Sequence, residues 1–227
     1  MLLIVPVGDV NPRKRIPVVN YLLLAANLLI FFYLFFFDVG DYGHILREYG
    51  LIPARFGREF VREVWKVPTA LFLHAGAAHV ASNMLFLWIA GDNVEDRLGH
   101  AAYLFFYLMS GIVANVGHIV MAAGPLAHIP CVGASGAIAG VLGAYMIWFP
   151  RRRIRFWYFF FFFTGFFTVP SIYAIGIWFL EQLYLGSWAK VARATSVAYW
   201  AHIGGFVFGA LAAAICGTVR PARSVSA

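Results

Sequence analysis

From Val18 to Phe37 the chain runs for twenty residues without a charged side chain. A helix of that length rises about 30 Å, the thickness of a bilayer's hydrocarbon core. Six segments are apolar enough to read as spans, at about residues 17–37, 77–90, 101–121, 135–149, 156–185 and 198–217. The second and fourth are short and rich in small residues, which suits helices buried among neighbours. Hydrophobic residues make up 62% of the chain and charged residues only 12%. A soluble domain of this length has too little interior to hide that apolar surface. The two-residue alternation of a membrane barrel is absent. Arg13, Lys14 and Arg15 precede the first run, but the run is too long for a secretory h-region and lacks a small-residue cleavage site, so it reads as a retained helix.

The fold expected is therefore all-α: one polytopic membrane domain of six helices over residues 17–217. Short cytosolic segments at residues 1–16 and 218–227 flank it. Basic residues sit between the apolar runs, with Arg151-Arg152-Arg153-Ile154-Arg155 as the strongest anchor. With both termini in the cytosol, ten basic residues face four acidic ones inside, and seven face six outside. Such clusters exclude a continuous nucleic-acid-binding face. Cys131 and Cys216 are placed near opposite membrane faces and are not expected to bridge. Residues 38–66 mix balanced charge with Phe56, Phe60, Val61, Val64 and Trp65, the pattern of a structured interfacial hairpin. The fifth segment, with five phenylalanines from Phe159 to Phe163, is expected to face lipid and to kink at Pro170.

Polar residues inside a membrane are costly, so each needs a reason. His79 and Asn83 lie four apart at the start of the second segment, on one helix face. Ser135 opens the fourth, and His202 lies near the start of the sixth. These three segments run in the same direction, which brings all four residues to a similar depth in the outer leaflet. Gly136, Gly140 and Gly143 share one helix face; Gly205, Gly209 and Ala213 share another with His202. Small residues at such spacings let helix backbones approach closely. A serine within reach of a histidine can be activated as a nucleophile, and a backbone N–H at a helix start, with His79 and Asn83 beside it, can form an oxyanion hole.

Each signal has a plainer reading. Serine caps helices and glycine packs them, and a lone membrane histidine such as His118 is expected to bond a neighbouring carbonyl. His44, His100 and His128 read as loop or interfacial residues. A zinc-protease motif is missing, since Ala75 follows His74. Paired intramembrane aspartates and the duplicated halves of a transporter are also absent. No metal or cofactor is expected.

The residues resemble those of the rhomboid intramembrane serine proteases, from Glu63 to Gly209. Glu63-Val64-Trp65-Lys66 is similar to the tryptophan–basic pair of that family's first loop. His74, His79 and Asn83 match its second-helix pattern, and Glu95-Asp96-Arg97-Leu98-Gly99 its cytosolic motif. Gly133-Ala134-Ser135-Gly136 and Ala201-His202, with Gly205 and Gly209 beyond, resemble its nucleophile and base motifs. The resemblance implies a compact rhomboid-like bundle with Ser135 as nucleophile, His202 as general base, and an oxyanion hole of the Ser135 N–H, His79 and Asn83. It implies structural roles for Trp65, His74, Glu95, Arg97, Gly133, Gly136 and Gly205. Two positions depart from the family pattern. Ala139 stands where many relatives carry an aromatic that supports the histidine ring, and Lys66 replaces an arginine.

The function expected is a hydrolase cleaving transmembrane protein substrates near the outer face, with lipid as its surroundings and no nucleic-acid partner. Its site would be a polar cavity open outward beneath a loop at residues 186–197, with the fifth helix as a lateral gate. The rival reading is an inactive rhomboid-like protein that binds membrane clients; a channel or transporter is a third. The resemblance implies a bacterial or archaeal plasma membrane, because the six-helix form lacks the extra helix of many eukaryotic relatives.

Overall fold

The computed structural model describes residues 2–37, 42–192 and 197–217. The order begins with β1 (Leu2–Val10) and α1 (Val18–Phe37). Four short helices follow: α2 (Tyr42–Tyr49), α3 (Pro53–Phe56), α4 (Phe60–Glu63) and α5 (Lys66–Thr69). Then come α6 (Ala77–Leu98), α7 (His100–Met121) and α8 (Ser135–Trp148), the strands β2 (Arg153–Phe160) and β3 (Phe163–Pro170), and finally α9 (Ser171–Ala192) and α10 (Tyr199–Gly217). Among the described residues, three helices are long and apolar enough to cross a membrane, namely α1, α7 and α10. A fourth joins them if α6 and the segment Phe60–Phe72, bent by 75° from it, count as one span. Residues 218–227, expected as a cytosolic tail, lie outside the described residues.

The core is built around α8. Every residue from Gly136 to Tyr145 on this helix is buried, although it has only 14 residues. Its glycines allow α10 to lie directly against it. A Cβ added at Gly205 would fall on the Gly136 carbonyl oxygen, and one at Gly209 on that of Gly140. Gly143 in turn faces the Phe206 carbonyl. The two helices therefore touch backbone to backbone. That contact sets how far the first turn of α8 stands from the first turn of α10.

The fifth segment differs from expectation, and so does the all-α class. Phe156 to Phe160 belong to β2, and Phe163 to Pro170 form β3, an antiparallel hairpin in which Phe160 pairs with Phe163. β1 adds to the other edge of β2, from Leu2 opposite Phe160 to Val10 opposite Arg153, making a three-stranded sheet in the order β1-β2-β3. Within the segment expected at residues 1–16, Leu2–Val10 is thus a strand of this sheet. Aromatic and β-branched residues favour a pleated surface as readily as a lipid-facing helix, and here a pairing partner exists. Pro170 does not kink a helix. It disfavours helical backbone at the residue before it and so separates β3 from α9. Ser171 then donates its N–H to the Arg152 carbonyl at 2.7 Å and its Oγ to the Phe149 carbonyl at 2.6 Å, tying the start of α9 to the end of α8. The helix continues to Ala192, so residues 186–192 of the expected loop are helical. Residues 193–196 are outside the described set.

α6 runs past its expected end at Ala90 because the charges beyond it find partners. Glu95, 1% exposed, accepts from the Val19 and Asn20 amides at 2.9 and 2.7 Å and pairs with His100 Nδ1 at 2.5 Å. It caps the first turn of α1, whose amides have no acceptor in their own helix. Asp96 accepts from the Lys14 and Arg15 amides, Asp92 pairs with Arg13 at 2.8 Å, and the Arg97 guanidinium lies 4.7 Å from the Trp148 ring centre. Asp9 of β1 accepts from Tyr145 Oη at 2.5 Å and Asn93 Nδ2 at 3.1 Å, and burial pushes its carboxyl up to about 6. One end of the bundle is therefore stitched to the amino-terminal segment by named polar contacts.

The loop between α1 and α6 is held at the opposite end. Lys66 donates to Glu63 at 2.9 Å inside the protein, yet the second carboxylate oxygen of Glu63 is buried and meets no partner among the described residues. That is the cost of lysine where the family pattern has arginine, whose planar fork can serve both oxygens. Trp65 stays half out of the protein and meets Tyr49 edge to face. Asn115 of α7 donates to the Val67 carbonyl at 2.7 Å, and Leu51 bridges Cys131 through two backbone hydrogen bonds. Cys131 is buried, Cys216 is exposed, and both are free thiols.

Candidate active site

The approach to Ser135 is fixed by Gly133. Its N–H donates to the Ala70 carbonyl at 2.9 Å, and its φ of +119° is one that a side chain rarely adopts. Space imposes the same choice: a Cβ there would stand 2.8 Å from His79 Nε2 and 3.4 Å from Asn83 Nδ2. The peptide two residues before Ser135 thus lies under the His79 and Asn83 side chains. Ser135 follows in the first turn of α8, where backbone amides have no acceptor in their own helix.

His202, in the first turn of α10, meets Ser135 across the glycine contact. Its Nε2 lies 2.8 Å from Ser135 Oγ. Both residues are half-buried. A hydroxyl bonded to an imidazole nitrogen can lose its proton to that nitrogen as it attacks an electrophile.

His79 and Asn83 sit one turn apart on α6, both turned toward Gly133. The Ala75 amide donates to His79 Nδ1 at 3.3 Å, which assigns the hydrogen of the neutral ring to Nε2, the atom facing Gly133. Asn83 Nδ2 is buried and makes no hydrogen bond among the described residues. Two side-chain N–H groups therefore stand together over Gly133, two residues before the serine. His74 is 1% exposed, packs edge to face on His79 at 5.1 Å, and its carbonyl accepts from Tyr42 Oη. It supports His79 and does not reach the serine–histidine pair.

The ring support missing at Ala139 comes from another helix. Gln182 Oε1 on α9 lies 2.7 Å from His202 Nδ1, and Gln182 is 5% exposed. Trp178, one turn earlier on the same face, sits 6.1 Å from the His202 ring at a 33° tilt, and Tyr199 meets that ring edge to face at 6.3 Å. Gln182 was not among the expected site residues. The signal was present, since Gln182 is a polar residue inside an apolar helix, and such residues need a reason.

His118 differs from expectation: its Nδ1 is buried but bonds no carbonyl among the described residues. It lines a cavity of about 270 Å³ with Met121, Cys131, Lys190 and Tyr199. This cavity is mainly apolar and adjoins the serine–histidine pair through Tyr199, while neither Ser135 nor His202 lines it.

A Rhomboid domain profile matches residues 61–219. Among curated proteins, the putative rhomboid protease YdcA of Bacillus subtilis is 36% identical over 131 residues, covering 57% of this chain and 61% of its own. Rhomboid protease GluP of the same species is 34% identical over 128 residues, 56% of this chain and 24% of GluP. Rhomboid protein 1, mitochondrial, of Saccharomyces cerevisiae is 28% identical over 197 residues, 84% of this chain and 51% of the yeast protein. The chain spans less than two thirds of the length of each. With the apolar helices, the profile marks an integral membrane protein. It spans α6 to α10, which carry Ser135, His202, His79, Asn83 and Gln182, and so this chain belongs to the rhomboid family.

Proposed function

We propose that this protein is an intramembrane serine endopeptidase that cleaves transmembrane protein substrates near the outer membrane face. The observation that carries the reading is the 2.8 Å contact between Ser135 Oγ and His202 Nε2, residues 67 apart in sequence. In this reading α1, α6, α7, α8, α9 and α10 are six spans. Both termini lie in the cytosol, at the end where Arg13, Asp92, Glu95 and Asp96 meet. The membrane is a bacterial or archaeal plasma membrane, and α9 is the side through which substrate enters.

His202 Nε2 takes the hydroxyl proton as Ser135 Oγ bonds to the scissile carbonyl carbon. The resulting oxyanion is received by the Ser135 N–H, Asn83 Nδ2 and His79 Nε2. The proton on His202 passes to the leaving amine as the peptide C–N bond breaks, leaving an ester on Ser135. Water, deprotonated by His202, then hydrolyses that ester. A helical segment hides its peptide bonds, so substrates with helix-weakening Gly or Pro near the outer face, and a small residue before the cut, fit the site.

Purified protein, incubated with a model transmembrane substrate and separately with a serine-reactive phosphonate, tests the reading. Native protein is expected to cut the substrate and carry the adduct on Ser135, and Ser135→Ala to do neither. Equal cleavage by both proteins overturns the assignment. A native protein that binds substrate helices but neither cuts them nor takes the adduct favours the client-binding rival. Asn83→Ala is expected to lower kcat about 10²–10³-fold with little change in KM, because its amide is needed only once negative charge develops. Steady-state kinetics in detergent or liposomes measures the split.

A further inference from the structure

We infer that Gln182 is the positioning residue of the site: its side-chain carbonyl holds His202 in the one tautomer that can take the proton of Ser135. This inference rests on the protease reading above.

A neutral imidazole carries a single N–H. If His202 is to accept a proton at Nε2, that hydrogen must be on Nδ1. The atom opposite Nδ1 is Gln182 Oε1 at 2.7 Å, which can only accept. Together with the 2.8 Å contact to Ser135 Oγ, this places an acceptor at one ring nitrogen and a hydroxyl at the other. The reversed amide would present an N–H to Nδ1, move the ring hydrogen to Nε2, and leave the serine facing a donor. The direction of one amide thus separates a base from an inert ring.

Three features favour glutamine here. Gln182 is 5% exposed, so its bond to the ring is shielded from competing water. It is neutral, so it orients the ring without placing a carboxylate inside the membrane, where charge is costly. It lies one turn from Trp178, which packs on the same ring, so one face of α9 supplies both polar and apolar support. Gly186, a turn further on, brings that face close to α10, since a Cβ there would stand 3.1 Å from Tyr199 Cβ.

The test compares native protein, Gln182→Leu and Gln182→Glu on the model transmembrane substrate and the phosphonate, with thermal melting as a check on folding. Gln182→Leu keeps the bulk and loses the acceptor. Its kcat is expected to fall about 100-fold, within the range that proton transfer by a positioned base contributes, with KM unchanged and phosphonate labelling reduced in parallel. Gln182→Glu restores an acceptor and is expected to recover to within about tenfold of native. A carboxylate beside Nδ1 favours the protonated ring, so the low-pH limb of its activity profile moves to higher pH. The other ionisable groups near His202 are His79 on α6, His118 on α7 and Tyr199 on its own helix, and all three are common to the variants. A purely structural role predicts no recovery by glutamate and no displaced pH profile.

Leucine activity within about threefold of native, or glutamate no better than leucine, overturns the inference. Should leucine prevent folding, Gln182→Ala takes its place in the same comparison. If native protein itself neither cleaves nor labels, the protease reading has failed; if it does both and Gln182→Leu matches it, only the role of Gln182 has failed.

Discussion

Gly209→Val is expected to yield no folded protein. A Cβ at this position would overlap the Gly140 carbonyl oxygen and stand 2.6 Å from its carbon and 2.7 Å from its Cα, so every colliding atom is backbone. No side chain can rotate away, and the only relief is to move α10 off α8. Overpacking a core costs about 1–3 kcal/mol when side chains can adjust. Here they cannot, and the whole domain is stable by only about 5–15 kcal/mol. Gly209→Ala, the smallest possible insertion, is expected to cost about 3 kcal/mol, lowering Tm by roughly 6–12 °C in a chain of this size. Valine should leave no monodisperse species of native size on gel filtration in detergent. Gly176→Ala on α9 is the control, because a Cβ there meets nothing within 4 Å. It should raise Tm slightly by restricting the unfolded chain. A Gly209→Val protein melting within a few degrees of native would contradict the direct backbone contact between α8 and α10.

The second large effect concerns activity. Ser135→Ala and His202→Ala are each expected to lower kcat by at least about 10⁴-fold, and the double variant to lose no more than the worse single. The reason is that a nucleophile and its base act as one unit: once either is gone, the other has no proton to move or no hydroxyl to activate. Independent contributions would multiply instead. Whatever rate survives in all three variants reports the oxyanion donors and substrate binding, so Asn83→Ala should still reduce it. The measurement is a double-mutant cycle on kcat with a fluorogenic transmembrane substrate sensitive enough to follow single turnovers. A double variant losing the product of the two single losses would separate the pair functionally despite the 2.8 Å contact.

The candidate site was legible because a membrane makes polar residues conspicuous. His79, Asn83, Ser135 and His202 stood out against apolar segments, and the glycine spacings on α8 and α10 indicated which helices meet. Gln182 was overlooked because it lies within a stretch read as lipid-facing from its phenylalanines. The same cost argument applied to Gln182 as to the histidines. The misplaced fifth span has a different cause. Phe156–Phe160 and Phe163–Thr168 suit lipid-facing helix and pleated strand alike; the hairpin pairs these two runs with each other, and Leu2–Val10 adds a third strand from far away in the sequence. The underestimated length of α6 arose from counting Asp92, Glu95, Asp96 and Arg97 as terminators, when each charge is met by a partner on a distant segment.

The sheet also sets an order on biosynthesis. β1 leaves the ribosome well before β2, the strand it pairs with, which is made about 150 residues later. At about 5–20 residues per second that is a wait of roughly 10–30 s. Throughout it, Leu2–Val10 is an unpaired apolar strand, although Arg13 to Asn20 can already dock once α6 is complete. Docking of the segment after β1 would hold the strand beside the growing chain until Arg153–Phe160 arrives. The acidic end of α6 would then keep β1 close to the place its partner strand comes to occupy.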